Sequence, residues 1–493
     1  MLSRAGVSIS VTVVWALALA VTEAGCGGNS AQPTTLLTQE QLRDPTACQS
    51  CHPDHVLEWS GSMHAYASDD PVFLAMNKRA QRESGGALGN FCVKCHAPVA
   101  VRDGLTTDGM NLDTLPASRK GVTCYFCHST ESVDGTHNNP LGLTASGTMF
   151  GPIPDPAPAP HLSAYGKFLD PAQPEGAAAC GSCHDIVNTN DAHVERTFAE
   201  WQDSLFSRPP RGQTCGQSCH MAQRQGPAST MTTRVRTLHD HSLAGLDVAL
   251  TDFPQADVQR TKVQSVLDTS IQTTICVDPV RKQIQLILDN AGTGHGFPSG
   301  ATPDRRVWVE LTAYAGGNVI YQSGHVGEGQ TVESLADPDL WLIRDCLYDT
   351  SKKETNLFWQ AASVISNQLP ASVVTNVADP SSFTKSHIQK NYPADGTKGL
   401  DQVPDRVTVE VHVKPIGDDV LAALVASGDL DASIPPKMPT FEPLGGTLEW
   451  TQAQVIAPVM GSDGLMLYCV TPAKYLATPN RAQSHAQCPA AQM

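Results

Sequence analysis

The sequence predicts an α+β chain of two domains, a mainly helical and irregular N-terminal domain followed by a β-sandwich. Three observations lead there. Five cysteine pairs, each followed at once by a histidine, fall between Cys48 and His220. The same region, about residues 46–245, is rich in histidine and poor in long apolar runs. Beyond about residue 255 the text turns to period-two alternation, the pattern of half-buried strands.

At the N-terminus, Arg4 gives a positive start and Val7 to Val21 is an apolar run broken only by small polar residues. The run is short for a membrane span, so residues 1–25 read as a signal peptide. Ala24-Gly25-Cys26, with Gly-Gly-Asn-Ser behind it, resembles a bacterial lipobox, although Glu23 stands where an aliphatic residue is usual. The mature chain is expected to begin at Cys26 with a lipid anchor, or near it and free, ahead of a linker over 26–45. Either start makes it an exported protein, periplasmic or an outer-membrane lipoprotein of a bacterium.

Four of the five motifs are C-x-x-C-H: Cys48, Cys51 and His52; Cys92, Cys95 and His96; Cys124, Cys127 and His128; Cys180, Cys183 and His184. The fifth, Cys215-Gly-Gln-Ser-Cys219-His220, is longer by one residue. This is the pattern that attaches haem c covalently. Two thiols must reach two vinyl groups on one porphyrin edge while the next imidazole turns onto the iron, and a short helical turn puts such positions on one face. A zinc knuckle or a redox disulfide would explain one isolated pair. Neither explains five pairs with histidine always in the same place. About five covalently attached haems are expected, forming much of the core of a domain over 46–245.

Ten of the fifteen cysteines lie in these motifs and Cys26 at the signal end. Cys276, Cys346, Cys469 and Cys488 remain, enough for two disulfides in an oxidising compartment, with Cys469 to Cys488 the local option. The net charge of −16, with 17% charged residues, excludes a nucleic-acid partner and leads us to expect a basic protein partner.

The domain over 246–493 reads as strands. Gln283 to Leu288, Val307 to Leu311 and Arg406 to Val413 alternate, and Gly316-Gly317-Asn318 makes a hairpin turn. One helix interrupts them, with Asp418 as its cap, Val420 to Val425 in its body and Gly428 closing it. An immunoglobulin-like sandwich is expected. Gly151 to Pro160, with proline at every second position from Pro152, is a loop between the third and fourth motifs.

Each iron also needs an occupant on its second side. After the first motif comes Glu58-Trp59-Ser60-Gly61-Ser62-Met63-His64. This Trp-x-x-Ser-x-His segment, with Gly121 to His128 and Thr214 to Met221, resembles the cytochrome c-552/c-554 family of multihaem electron carriers over about residues 46–245. The resemblance implies that His64 is a distal haem ligand. A second copy of the segment, Glu200 to Phe206, has Phe206 where His64 stands, and reads as a helix packing Trp201 against a haem. Likeness to multihaem cytochromes also implies His161, ahead of the fourth motif. Similar glycine-rich loops in cytochromes with a C-terminal sandwich imply His295, in Gly292 to Gly300. Spare histidines in the haem region add His241, with His239 its competitor, and His137; His55 and His193 read as non-ligands.

Electron transfer through the haems is the expected function, with bis-histidine ligation at most sites. The expected partners are another cytochrome, a quinol-oxidising complex or an extracellular acceptor. The alternative is an oxidoreductase acting on a small nitrogen or sulfur species at one five-coordinate haem. No phosphate loop, paired-carboxylate site or nucleophile triad is legible, and no C-x-x-C-K motif occurs.

Overall fold

The computed structural model describes residues 36–158, 160–209, 212–373, 386–461, 463–471 and 488. The signal-peptide and Cys26 expectations fall outside these residues. Among them, no helix is long and apolar enough to cross a membrane.

The N-terminal half is built of short helices, including Pro53–Ser60, Pro71–Glu83, Pro174–Gly181 and Thr197–Asp203, linked by turns and two-stranded ribbons. Pro71–Glu83 begins where the Asp70 carboxylate accepts the Val72 amide at 2.9 Å and Pro71 takes the first helical position. The proline-rich loop joins the parallel strands Met149–Gly151 and Ser163–Tyr165. Apolar side chains here are divided among small clusters beside the motif residues, one holding Phe73, Val93 and Leu112, another Tyr125 and Phe126, a third Phe198 and Trp201.

The C-terminal half carries two large antiparallel sheets, beside a small one in the order Glu354–Thr355, Cys346–Tyr348 and Ser363–Ile365. In one, the order is His387–Tyr392, Gln283–Asp289, Gln272–Asp278, Met466–Val470 and Val459–Met460. In the other it is Asn318–Ser323, Arg306–Ala315, Arg406–Lys414 and Leu448–Thr451, with Trp341–Ile343 also on Arg306–Ala315. The alternation seen in the sequence is what joins them. Val407, Val409, Val411 and Val413 point inward and meet Ile284, Leu286 and Leu288 of the other sheet in a single core. Each such side chain contributes about 1.5–3 kcal/mol on burial. The hairpin turn has Gly316 and Gly317 at φ 57° and 81°, the two positive values that a tight right-twisting turn demands.

Two details differ from the sequence reading. Helix Asp418–Ala426 is capped by Gly417, and Asp418 lies in its first turn, where the Lys414 ammonium binds both its carboxylate oxygens at 2.6 Å. Gly428 closes that helix at φ 75°. Among the four C-terminal cysteines, Cys276 pairs with Cys469 and Cys346 with Cys488, and the local Cys469 to Cys488 pair does not form. Strand pairing decides this, because Cys276 and Cys469 are direct cross-strand neighbours.

The halves share packing. Val72, Ala75, Val248 and Leu250 belong to the sandwich core, and the Arg82 guanidinium forks onto the Asp429 carboxylate at 2.5 and 2.6 Å.

Candidate haem centres

In the first and fourth motifs the histidine amide bonds the carbonyl of the first cysteine, four residues back, at 2.8 and 3.1 Å. In the fifth the bond spans five residues, His220 N to Cys215 O at 3.2 Å, and Cys215–Cys219 is a single π turn. The extra residue is absorbed by widening the turn. Nine of the ten motif thiols are free of disulfides. Cys51 is disulfide-bonded, so thioether formation there requires that bond to open first.

A ligating imidazole has to present one nitrogen while the other is held. Four motif histidines anchor Nδ1 on backbone carbonyls: His52 on Ala228 at 2.8 Å, His96 on Ala67 at 3.0 Å, His128 on Phe150 at 2.6 Å and His220 on Ala244 at 2.7 Å. His184 instead faces the Glu195 carboxylate at 3.5 Å. The carbonyls accept, so Nδ1 carries the proton and Nε2 is left with its lone pair.

An iron between two imidazoles, with bonds of about 2.0 Å to each, sets ring centroids roughly 6 Å apart. Four motif histidines have a partner ring at that spacing. His161 is 6.4 Å from His52, His241 is 6.3 Å from His128, His64 is 6.1 Å from His184 and His295 is 6.3 Å from His220. The ring of His55 also lies 6.2 Å from His52, but its Nδ1 faces Glu58 at 3.3 Å and it packs 4.6 Å from His241, too close for an iron between those two. His96 has no such partner among the described residues; Phe73 stacks flat on it at 3.7 Å. His137 is exposed, with Thr136 Oγ1 3.1 Å from its Nδ1, and faces no motif histidine. His239 sits with Nδ1 3.2 Å from the Met221 carbonyl.

At four of these imidazoles burial favours the neutral form that a metal ligand needs. It lowers the pKa of His64 to about 3, and those of His52, His128 and His295 to about 4. At His184 burial acts the same way, but Glu195 outweighs it and the pKa stands at about 9.

The motifs also touch one another. The thiols of Cys48 and Cys124, of Cys95 and Cys183, and of Cys180 and Cys215 lie close enough to shift one another's pKa. Asn139 ties the second motif to the fourth, its amide on Ser182 O at 2.6 Å and its side chain on Lys94 O. The donor set, two thiols on one turn beside an imidazole with free Nε2, fits covalent haem.

Residues 47–129 match the family described as cytochrome c554 and c-prime. The fold is similar to that of a penta-heme cytochrome c552 from Thermochromatium tepidum, with a TM-score of 0.53 at 21% identity, covering 84% of this chain and 98% of that one. No curated protein matches. The family match and the likeness of fold together support a multihaem c-type cytochrome.

In this chain the repeated tryptophan segment is a structural duplication. Trp59 donates from Nε1 to Val122 O and Trp201 to Gln213 O, both at 2.8 Å and both two residues before a motif cysteine. Val122 N returns to His64 O at 2.8 Å and Gln213 N to Phe206 O at 2.7 Å. Phe206 thus occupies the place of His64. It stands against Gly294, where a Cβ would lie 3.2 Å from Phe206 Cβ and 3.3 Å from Trp201, so glycine lets the loop of His295 approach. Glu200 holds that loop by accepting the Gly296 amide at 2.9 Å, and burial lifts its pKa to about 7.

Three supporting residues were not legible in sequence. Glu195 against His184 and Phe73 on His96 are neighbours only through the fold. Glu58 accepts the His241 amide at 3.0 Å, and its carboxyl is held far below the usual range by His241 and His55 against the opposing effect of burial. Its place beside Trp59 in the recognised segment was the available signal.

Proposed function

We propose that the chain is an exported electron carrier with five haems c, held by Cys48, Cys51 and His52; Cys92, Cys95 and His96; Cys124, Cys127 and His128; Cys180, Cys183 and His184; and Cys215, Cys219 and His220. His161, His241, His64 and His295 are the distal ligands of the first, third, fourth and fifth sites. The observation that carries this is the spacing of four imidazole pairs at 6.1–6.4 Å. Bound haem supplies a one-electron iron couple. The protein's part is to fix both axial imidazoles, exclude water and hold neighbouring sites close. The thiol contacts support an order in which the first site adjoins the third, and the fourth adjoins the second and fifth. A count of five is supported by the motifs and by the penta-heme relative of similar fold.

The Cys276–Cys469 and Cys346–Cys488 disulfides support an oxidising compartment, periplasmic or at the outer membrane, and the lipobox-like sequence makes Cys26 the point of a lipid anchor. The sandwich, of immunoglobulin-like size, supplies His295 and a docking face for a redox protein. Mass spectrometry of the mature protein should give a chain heavier by five haems, and potentiometry should give reversible one-electron steps. A chain carrying fewer than four haems, or redox-silent ones, would refute this reading.

One observation favours a second reading. His96 faces no second imidazole among the described residues, so the second site is where a small nitrogen or sulfur species would bind iron. Under this reading His137 is not a ligand.

A further inference from the structure

The outer face of the Arg306–Ala315 and Arg406–Lys414 strands carries a cluster that the haem reading does not use. Residues facing each other across these strands are mostly matched. Arg406 lies over the Tyr314 ring at 3.7 Å and Trp308 stacks on His412 at 4.8 Å. Arg306 and Lys414, both cationic, are each neutralised by carboxylates of their own. Glu310 and Glu410 are the exception. They are directly opposite, like charges in that position destabilise a sheet, and Glu442 comes in from the turn after Phe441. Among the described residues no lysine or arginine pairs with any of the three.

His412 sits in the middle of them. It is 9% exposed, and its Nε2 is buried without a hydrogen bond, with Glu310 Oε2 3.4 Å away. Nδ1 is 3.6 Å from Glu442 Oε1, and one ligand atom each from Glu410, His412 and Glu442 lie within 4.8 Å of one another. His325 Nδ1 adds a second imidazole, 2.8 Å from Glu310 Oε1. Carboxylates that converge on a buried imidazole, with one ligand atom each from Glu410, His412 and Glu442 in mutual reach, form the mixed donor set of a cation site.

We propose that Glu410, His412 and Glu442, backed by Glu310, bind one divalent cation of the zinc class. Mixed imidazole and carboxylate donors suit such ions, and the exposed Glu442 can close the remaining distance. The ion would bridge the strand to the Phe441 turn and cancel the Glu310 and Glu410 repulsion. This inference does not depend on the ligand assignment at any haem.

The test uses the haem-loaded full chain, stripped with a chelator and titrated with zinc alone. One zinc per chain is expected by equilibrium dialysis. Crystals should show a zinc-edge anomalous peak between Glu410 and Glu442. Glu442→Gln, a change at an exposed residue, should weaken binding by at least the roughly 10- to 100-fold that even an outer-shell change costs. Glu410→Gln should do the same, and zinc should raise the melting temperature of the parent but not of either variant. No stoichiometric zinc, equal binding by the variants, or a peak at the other cluster of such residues, His55, Glu58 and His241, would overturn the proposal.

Discussion

Replacing His295 by alanine isolates the link between the two halves. The loop that carries it is held through its backbone. Asn290 Nδ2 and Thr293 Oγ1 both donate to the His295 carbonyl at 2.7 Å, and the Gly296 amide donates to Glu200 at 2.9 Å. The imidazole contributes one hydrogen bond of its own, Nδ1 to the Gly296 carbonyl at 2.8 Å. The substitution therefore leaves the loop in place and should cost about 1 kcal/mol of stability. What it removes is the ring 6.3 Å from His220. With five haems, one of them would lose its distal ligand. About one-fifth of the haem should then change spin state or gain an exchangeable ligand, with its potential moving away from the bis-histidine range. Electron paramagnetic resonance and a potentiometric titration of parent and variant measure both. If the low-spin signal of every haem is unchanged while the variant is folded, His295 is not a ligand and the sandwich is not tied to the haem chain through it.

Three further outcomes follow from particular side chains. His137→Ala should leave every haem signal as it was, because that ring is exposed and faces no motif histidine; a changed spectrum would return His137 to the ligand set. Lys390→Met should stabilise the protein at pH 7 by up to about 3 kcal/mol, since burial lowers the Lys390 pKa from 10.5 to about 8. Between those values the unfolded chain binds the extra proton, so parental stability should rise from pH 8 to 10.5 while the variant's does not, and parallel curves in chemical denaturation would contradict this. Replacing Cys276 and Cys469 by serine should cost about 2–4 kcal/mol and lower the melting temperature without altering the haem spectra.

What was legible in the sequence was what is encoded locally. Each haem motif fits within one turn, and even the longer fifth motif needs only a π turn. The strands were legible because Arg406–Lys414 alternates valine with polar residues, and the hairpin because two glycines stand where positive φ is required. His64 came from its resemblance to a family, and His295 from a glycine loop whose close packing on Phe206 is what the glycines permit. The rest depends on residues distant in sequence. Cys276 meets Cys469 through strand register, Glu195 meets His184 across a short ribbon, and Gly417 replaces Asp418 as cap because Lys414 draws that carboxylate away. Which spare histidine faces which motif is likewise a matter of tertiary placement. His137 and His161 both lie between the third and fourth motifs, yet only His161 stands opposite a motif histidine.

The central claim is that four sites hold two imidazoles and the His96 site holds one. Electron paramagnetic resonance of the oxidised, fully loaded protein, repeated with nitric oxide after reduction, tests it most directly. The account predicts low-spin signals from four haems and one haem that takes the gas, lost when His96 is the motif histidine replaced. Five low-spin haems, none binding nitric oxide, would mean that a sixth ligand fills the His96 site and that the second reading fails. Gas binding at two or more haems would contradict the imidazole pairing itself.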